Sequence, residues 1–374
     1  MELRINKILR LSILFVSLSL LSSCYVTRSI FWYPTGIHDQ TRFPADSIRN
    51  QPPFSDFKES HDTQRFSIHG EFLISGNHLS FEDVLADSHT LAFLVIRNDS
   101  LLFSKYFGGY GESSAFPSFS VAKSFVSALT GIAISEGFIK SVDQPVTDFF
   151  PELKNRGFGK VTLRHLLTMR SGLNFNEGYK NPFGDDSRIY YGRHLKKFIF
   201  RLKVTSEPGA AYSYQSANTQ LVAMVLEKAT GKRLSEYMEE KIWKPLGMKY
   251  PATWSVDGKH TQEAKAFCCI NATAPDFARF GQLFLDHGSR AGRTIVPEQW
   301  VKESLTIQND SKDSRGYPYT YFWRVRNDGE FFAYGVLGQY IYVCPSKHVV
   351  IVRIGDKAGG IDWPGFFHLI MQQL

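Results

Sequence analysis

The stretch that decides the fold runs from Ala115 to Gly131 and reads AFPSFSVAKSFVSALTG. In it and just beyond, Val121, Ala122, Phe125, Val126, Ala128, Leu129, Ile132 and Ala133 fill several faces of a helix, the pattern of one buried all round. A core helix has no packing use for Ser120 and Lys123 at its start. Residues three apart share a helix face, so the hydroxyl and the amine meet. A serine hydroxyl is a poor nucleophile until a base takes its proton, and a lysine kept out of water can be that base. The N–H groups of a helix N-terminus also lie where a developing oxyanion would sit. The pair therefore reads as the reactive end of a buried helix.

Upstream, TLAFLVIRNDSLLFSKYF (90–107) predicts a hairpin around Asn98, Asp99 and Ser100. Residues 136 to about 300 read mostly as helix. The spacing predicts helices over 161–169 with Thr162 as N-cap, over 218–231 with Asn218 as cap and Gly231 as terminator, and over 273–288. Between Ser171 and Pro208 lies a long polar and aromatic connection, and such connections tend to carry function. Residues 317–355 return to strands, with turns at Asn327–Gly329 and Pro345–Lys347, and the chain closes on a helix from Ile361. Strands at both ends with helices between predict an α/β (α+β) fold: one antiparallel sheet flanked by helices, plus a helical subdomain over about 136–300.

The 374 residues, 43% of them hydrophobic, suffice for a large core in one or two domains. The net charge of +7 comes with no Arg-rich stripe or stacking motif, which argues against a nucleic-acid partner. Basic MELRINKILR precedes apolar Leu11–Leu21 and then Ser22-Ser23-Cys24. The apolar run is short for a bilayer span, so 1–23 reads as a secretory signal. Its LSSC ending resembles a bacterial lipobox. That implies cleavage before Cys24, lipid on Cys24, and an exported protein held on a membrane; a plain secretory signal with an incidental Cys24 is the alternative. Residues 24–65, rich in Pro, Asp, Ser and Arg, are expected as a tether, leaving 66–374 as the catalytic domain. Cys268, Cys269 and Cys344 cannot all pair within one chain, and a bridge between neighbours is strained, so all three are expected as small buried residues.

Ser-x-x-Lys occurs twice, but Ser55–Lys58 lies in the tether with no apolar helix behind it. The copy in FSVAKSF (119–125) is followed in order by VTLRHLLTMRSGL (161–173), PGAAYSYQSANTQLVAMVLEKATG (208–231) and GQYIYVCP (338–345). Together these resemble the serine β-lactamase family. Within it the chain is most similar to class C-like esterases and amidases, 6-aminohexanoate-oligomer hydrolases among them. The resemblance runs from about residue 90 to the end. It implies the β-lactamase/DD-peptidase fold, a site in the crevice between sheet and helical subdomain, and acyl transfer through a serine ester with no metal or cofactor.

The family's second motif is Tyr-x-Asn. The literal copy, Tyr179 to Asn181, comes too early; the expected place, after Pro208-Gly209, holds Tyr214-Gln215-Ser216. The resemblance then implies Tyr214 as phenolic general base beside Lys123, a core aromatic being the alternative. Ser216 stands where Asn is usual, still able to hydrogen-bond Lys123 or substrate. Tyr179 is either a substrate-facing aromatic or a loop residue. The third motif, Lys or His, any residue, then Gly, aligns with Val336-Leu337-Gly338, where the cation is gone; the literal Lys357–Gly359 comes after the next strand. This register places Gly338 at the substrate and makes the Gln339 N–H the oxyanion donor opposite that of Ser120. Without the cation, a substrate carboxylate of the kind β-lactams and stem peptides carry loses its anchor. The expectation is a small or short oligomeric ester or amide substrate. A β-lactamase- or DD-peptidase-type enzyme is one alternative and a non-catalytic binding lipoprotein the other. His165 reads as structural, and there is no Gly-x-Ser-x-Gly or His-Glu-x-x-His motif. Asp185 and Asp186 could meet a substrate amine but read first as a solvated pair.

Overall fold

The β-rich runs at the two ends of the chain pair with each other. The computed structural model describes residues 25–59, 68, 72–74, 77–178 and 181–374. Its central sheet contains β1 (Lys58–Glu59), β2 (Thr90–Arg97), β3 (Ser100–Tyr106), β4 (Arg324–Val325), β5 (Phe331–Gly335), β6 (Gln339–Cys344) and β7 (Val349–Gly355). Their order is β4-β5-β6-β7-β2-β3-β1, antiparallel throughout except for β1 on β3. Asn98 and Asp99 turn the β2–β3 hairpin with φ of 49° and 61°, the left-handed pair that a two-residue hairpin asks for.

Side chains alternate across the sheet. Ala92, Leu94 and Ile96 of β2 and Val350, Val352 and Ile354 of β7 enter one core. Phe93, Val95, Val349 and Ile351 enter the other. Both faces are covered, which is why these strands read as unbroken apolar runs. One cover includes helices α2 (Ala122–Ser135) and α5 (Ala274–Leu285); the other includes α6 (Trp363–Gln373) and the short helix Phe81–Asp87. Every residue of α2 from Ala122 to Ala133 is buried. Phe125 stacks on Phe280 of α5 with centroids 3.6 Å apart. Burying such a side chain contributes about 1.5–3 kcal/mol, so α2 is fixed to the sheet by packing and carries its first turn with it.

A second antiparallel sheet joins Ala45–Ile48, Ala252–Ser255, Ile270–Thr273 and Ala115–Pro117. Two of its strands therefore interrupt the expected helical insert. The expected tether also needs correction. Residues 25–32 form helix α1, which packs on helix α3 (Asp185–Tyr191), and Ala45–Ile48 is a strand. Trp32 and Phe43 each make ring contacts with Tyr191. Single aromatic anchors hold this segment, and they leave no periodicity for a sequence reading to find. The 1–23 signal and Cys24 lie outside the described residues. Among the described residues no helix is long and apolar enough to cross a membrane.

Thr162 and Thr273 cap their helices through their side chains, as expected. Helix α4 (Ser216–Thr230) starts two residues before the expected cap. Asn218 lies inside it, its Oδ1 accepting from Ser171 Oγ at 2.5 Å.

Candidate active site

Ser120 sits in a single 3₁₀ turn, Phe119–Val121, that leads into α2. Phe119 has φ of 44°, a left-handed conformation that costs a non-glycine residue about 1 kcal/mol or more. Ser118 holds it there. Its N–H donates to the Ile270 carbonyl at 2.7 Å, and its Oγ accepts from the Ile270 N–H at 3.1 Å. The kink turns Ser120 into the cleft while the rest of the helix stays in the core.

Lys123, one turn on, is almost completely buried. Its Nζ contacts Ser120 Oγ at 3.0 Å and donates to Ser216 Oγ at 3.2 Å and to the Phe267 carbonyl at 2.7 Å. Ser216 Oγ in turn donates to Glu177 Oε1 at 2.6 Å, and the Ser216 N–H donates to Glu177 Oε2 at 2.7 Å. Glu177 thus receives the first free N–H of α4 and closes a chain from Lys123 through Ser216 to a carboxylate. The Tyr214 ring centroid is 5.2 Å from Lys123 Nζ. Arg324 also stands beside it, Cζ 5.7 Å from the Tyr214 centroid and 5.2 Å from those of Tyr319 and Tyr334. Arg324 is buried, and its Nε donates to Asp313 at 2.6 Å. Burial pushes the Tyr319 and Tyr212 phenols up, so these two neighbours stay neutral.

The turn between β5 and β6 closes the cleft, in a register different from the expected one. Gly335, not Gly338, abuts the turn that carries Ser120. A Cβ on Gly335 would lie 2.5 Å from the Ser118 carbonyl and 3.1 Å from the Ser120 nitrogen. Gly338, at φ 82°, faces away: a Cβ there would lie 1.9 Å from Arg353 Nη1. Gln339 is fully buried, its side-chain amide exchanging two 2.9 Å hydrogen bonds with Gly355. Val336 and Leu337 are the turn residues that reach the cavity wall. Gly335 thus takes the place beside Ser120 that was expected of Gly338: "GVLGQ" offers two glycines, and only the packing chooses between them. Arg353 donates to the carbonyls of Gly338 at 2.7 Å, Leu337 at 3.3 Å and Lys357 at 3.3 Å, and supports the turn from below.

Ser120, Ser216, Glu177, Phe267, Val336 and Leu337 line a cavity of about 180 Å³, whose far wall is α3 and residues Tyr33–Thr35. The long connection does carry part of the site. Asp186 corrects the solvated-pair expectation: it is buried, lines this cavity, and its Oδ1 has no hydrogen-bond partner among the described residues. Burial, with Glu177 adding to it, holds the Asp186 carboxyl up at about 6. Asp185 instead accepts from the Asn176 N–H. Tyr179 lies outside the described residues. Lys265 is fully buried behind α3, donating to the carbonyls of Ile189 at 3.2 Å and Tyr190 at 2.6 Å, and burial brings it down to about 7. Cys268 and Cys269 are joined as a disulfide rather than free; Cys269 has φ of 77°. Cys344 is free and buried, as expected.

The Beta-lactamase family profile matches residues 81–361. The chain belongs to the Beta-lactamase family. That membership makes it a serine hydrolase. A 6-aminohexanoate-dimer hydrolase from Paenarthrobacter ureafaciens is 28% identical over 308 residues, 76% of this chain and 75% of that one. A solved structure from Bacillus anthracis, provisionally named 6-aminohexanoate-dimer hydrolase, superposes with a TM-score of 0.78 at 25% identity, over 94% of this chain and 95% of that one. A penicillin-binding protein from Bacillus halodurans shares the fold, with a TM-score of 0.62 at 18% identity over 78% of this chain and 98% of that one.

Within this Beta-lactamase fold, sequence reasoning missed Glu177, Arg324 and Arg353. Glu177 stands two residues before Tyr179, where the only motif in the sequence is Tyr-x-Asn. Arg324 lies on β4, the strand paired with β5, and belongs to no motif of the family resemblance. His165 is structural, its Nδ1 accepting from the Thr162 N–H at 3.2 Å. Asp328, Glu330 and His368 form a group of metal-ligating type outside the cavity. Arg326 already lies within it, at 3.2 Å from Glu330 and 2.9 Å from Asp328, so a cation is supplied by the chain.

Proposed function

We propose that the chain cleaves ester or amide bonds in small, amino-ended linear substrates through an acyl-enzyme, with Ser120 as nucleophile. The observation that carries this reading is the position of Lys123 Nζ between Ser120, Ser216 and Phe267. Hydrogen bonds to Ser216 and Phe267 hold Nζ against the Ser120 hydroxyl, where it can take up the Ser120 proton. Ser120 Oγ bonds to the substrate carbonyl carbon. The proton passes through Lys123, with the Tyr214 hydroxyl assisting, to the leaving alcohol or amine as its bond to that carbon breaks. Water, deprotonated by the same groups, then attacks the ester and frees Ser120. The N–H groups of Ser120 and Val336 hold the oxyanion; losing one such donor typically costs about 10²–10³ in rate.

Asp186 and Glu177 place negative charge in a mostly apolar cavity. That charge favours a substrate with an ammonium end and disfavours the carboxylate of a β-lactam. The name of the Paenarthrobacter relative, a hydrolase of 6-aminohexanoate dimer, fits this chemistry at the amine end of that amide; its other end is a carboxylate, which this reading keeps away from Asp186 and Glu177. Comparing 6-aminohexanoyl 4-nitroanilide, glutaryl 4-nitroanilide and nitrocefin as substrates tests the reading. The ammonium-ended anilide should lead by at least about tenfold in kcat/KM; faster turnover of either anionic substrate would sink it. Export and lipid attachment at Cys24 belong to the same proposal, supported by the LSSC motif. Intact mass of membrane-extracted protein should show a chain that starts at acylated Cys24.

A further inference from the structure

Three features meet where the chain enters the domain. The described residues begin with helix α1 at Tyr25, the residue that follows Cys24 in the sequence. Arg188 of α3 lies 5.4 Å over the Tyr25 ring, and Trp32 packs edge-on against Tyr191 at 6.3 Å. Whatever holds residue 24 therefore holds α1 and, through α3, the wall of the catalytic cavity.

Helix α1 is also oriented the wrong way for water. It buries Arg28 and Ser29 and exposes Ile30 and Phe31, Phe31 by 77%. Tyr33 follows at 50%, and Phe183, just before α3, is 64% exposed. Apolar side chains gathered in this way mark an interaction surface.

The third feature is charge. A cavity of about 630 Å³ opens beside α1, with Arg42, Arg193, His194, Lys259 and His260 in its wall. Its carboxylate, Asp257, is committed to the N–H groups of Leu195 and Glu263 and to the Thr261 hydroxyl. Arg193 and Lys259 form no ion pair among the described residues. Tyr191 belongs to the walls of both this cavity and the catalytic one.

We propose that this face docks on an anionic lipid bilayer, with Ile30, Phe31, Tyr33 and Phe183 entering the headgroup region and a lipid phosphate seated in the basic cavity. The catalytic cavity then draws its ester or amide substrate from the membrane interface. The proposal rests on the attachment at Cys24 put forward above. Attachment keeps the bilayer at high effective concentration, so a weak docking contact suffices. Each Lys or Arg near an anionic surface favours the docked state by about fivefold.

The test uses the full chain, extracted from membranes and reconstituted into vesicles of phosphatidylcholine alone or with one third phosphatidylglycerol. A polarity-sensitive fluorophore is placed on Phe31→Cys or, as control, on Leu369→Cys of α6. In anionic vesicles the Phe31 label should shift to the blue and be shielded from iodide, while the Leu369 label stays open. Arg193→Glu with Lys259→Glu should reduce the docked-to-undocked ratio by about fivefold or more per side chain, with turnover of a soluble ester unchanged. Vesicle flotation reads the attachment separately. A chain that floats while the Phe31 label stays open in both vesicle types overturns docking and leaves attachment standing. A chain that does not float overturns both. Shielding that follows the protein-to-lipid ratio instead of lipid charge overturns the proposal in favour of a second copy of the chain.

Discussion

Lys123 Nζ lies 3.0 Å from Ser120 Oγ and shares its remaining hydrogen-bonding capacity between Ser216 and the Phe267 carbonyl. Each of the three partners comes from a different part of the chain, so the amine is held against the Ser120 hydroxyl by the whole fold. Lys123→Met keeps the buried volume and removes the base. Turnover of a 4-nitrophenyl ester should fall by about 10²–10⁴ with the near-ultraviolet circular dichroism intact. An unchanged kcat would take Lys123 out of the proton path.

Glu177 accepts both the N–H and the hydroxyl of Ser216 at the N-terminus of α4, where a negative charge favours the helix dipole. Glu177→Ala should lower unfolding free energy by about 0.5–2 kcal/mol in urea titrations, as loss of a helix cap does, and should slow turnover as well. Loss of activity with unaltered stability would mean that Glu177 serves the substrate alone.

The two glycines of the β5–β6 turn should separate activity from stability. A Cβ on Gly335 presses on the Ser118 carbonyl and the Ser120 nitrogen, backbone atoms that must shift, so Gly335→Ala should lower kcat of the folded enzyme as well as Tm, whereas Gly338→Ala should spare kcat. Gly338 carries φ of 82° and packs on Arg353, so Gly338→Ala should destabilise the protein by roughly 1–3 kcal/mol. Paired kinetic and thermal measurements on the two variants check this; the reverse pattern would restore the earlier register of the motif.

Burial holds the Asp186 carboxyl at about 6, above its ordinary range. The folded state thus prefers it neutral, and its contribution to stability declines as pH rises through 4 to 6 and then levels off. Asp186→Asn removes that decline. Its Tm should exceed the wild-type value by roughly 2–4 °C above pH 7, and the gain should vanish near pH 4. In the wild type, KM for an ammonium-ended substrate should fall as pH rises through about 6, while that for a neutral ester stays level. A pH-independent difference in Tm would show that Asp186 is not buried as described.

How much the sequence revealed depended on whether a feature was local. The β2–β3 hairpin, the caps at Thr162 and Thr273 and the pairing of Ser120 with Lys123 are set by residues within a few positions of one another, and all were legible. The register of Val336–Gln339 was not, because it is chosen by which glycine fits against Ser118 and Ser120, more than two hundred residues away. Asp186 looked solvated because the helix that carries it packs on α1, a segment that itself gave no periodic signal. Glu177 and Arg324 act through contacts with Ser216 and Tyr214 that no spacing rule encodes.

The central claim is that Ser120 is an activated nucleophile. Intact mass after exposure to a fluorophosphonate, on the wild type beside Ser120→Ala, tests it most directly. A single phosphonyl adduct is expected on the wild type and none on the folded variant. Equal labelling of both proteins, or of neither, would contradict it.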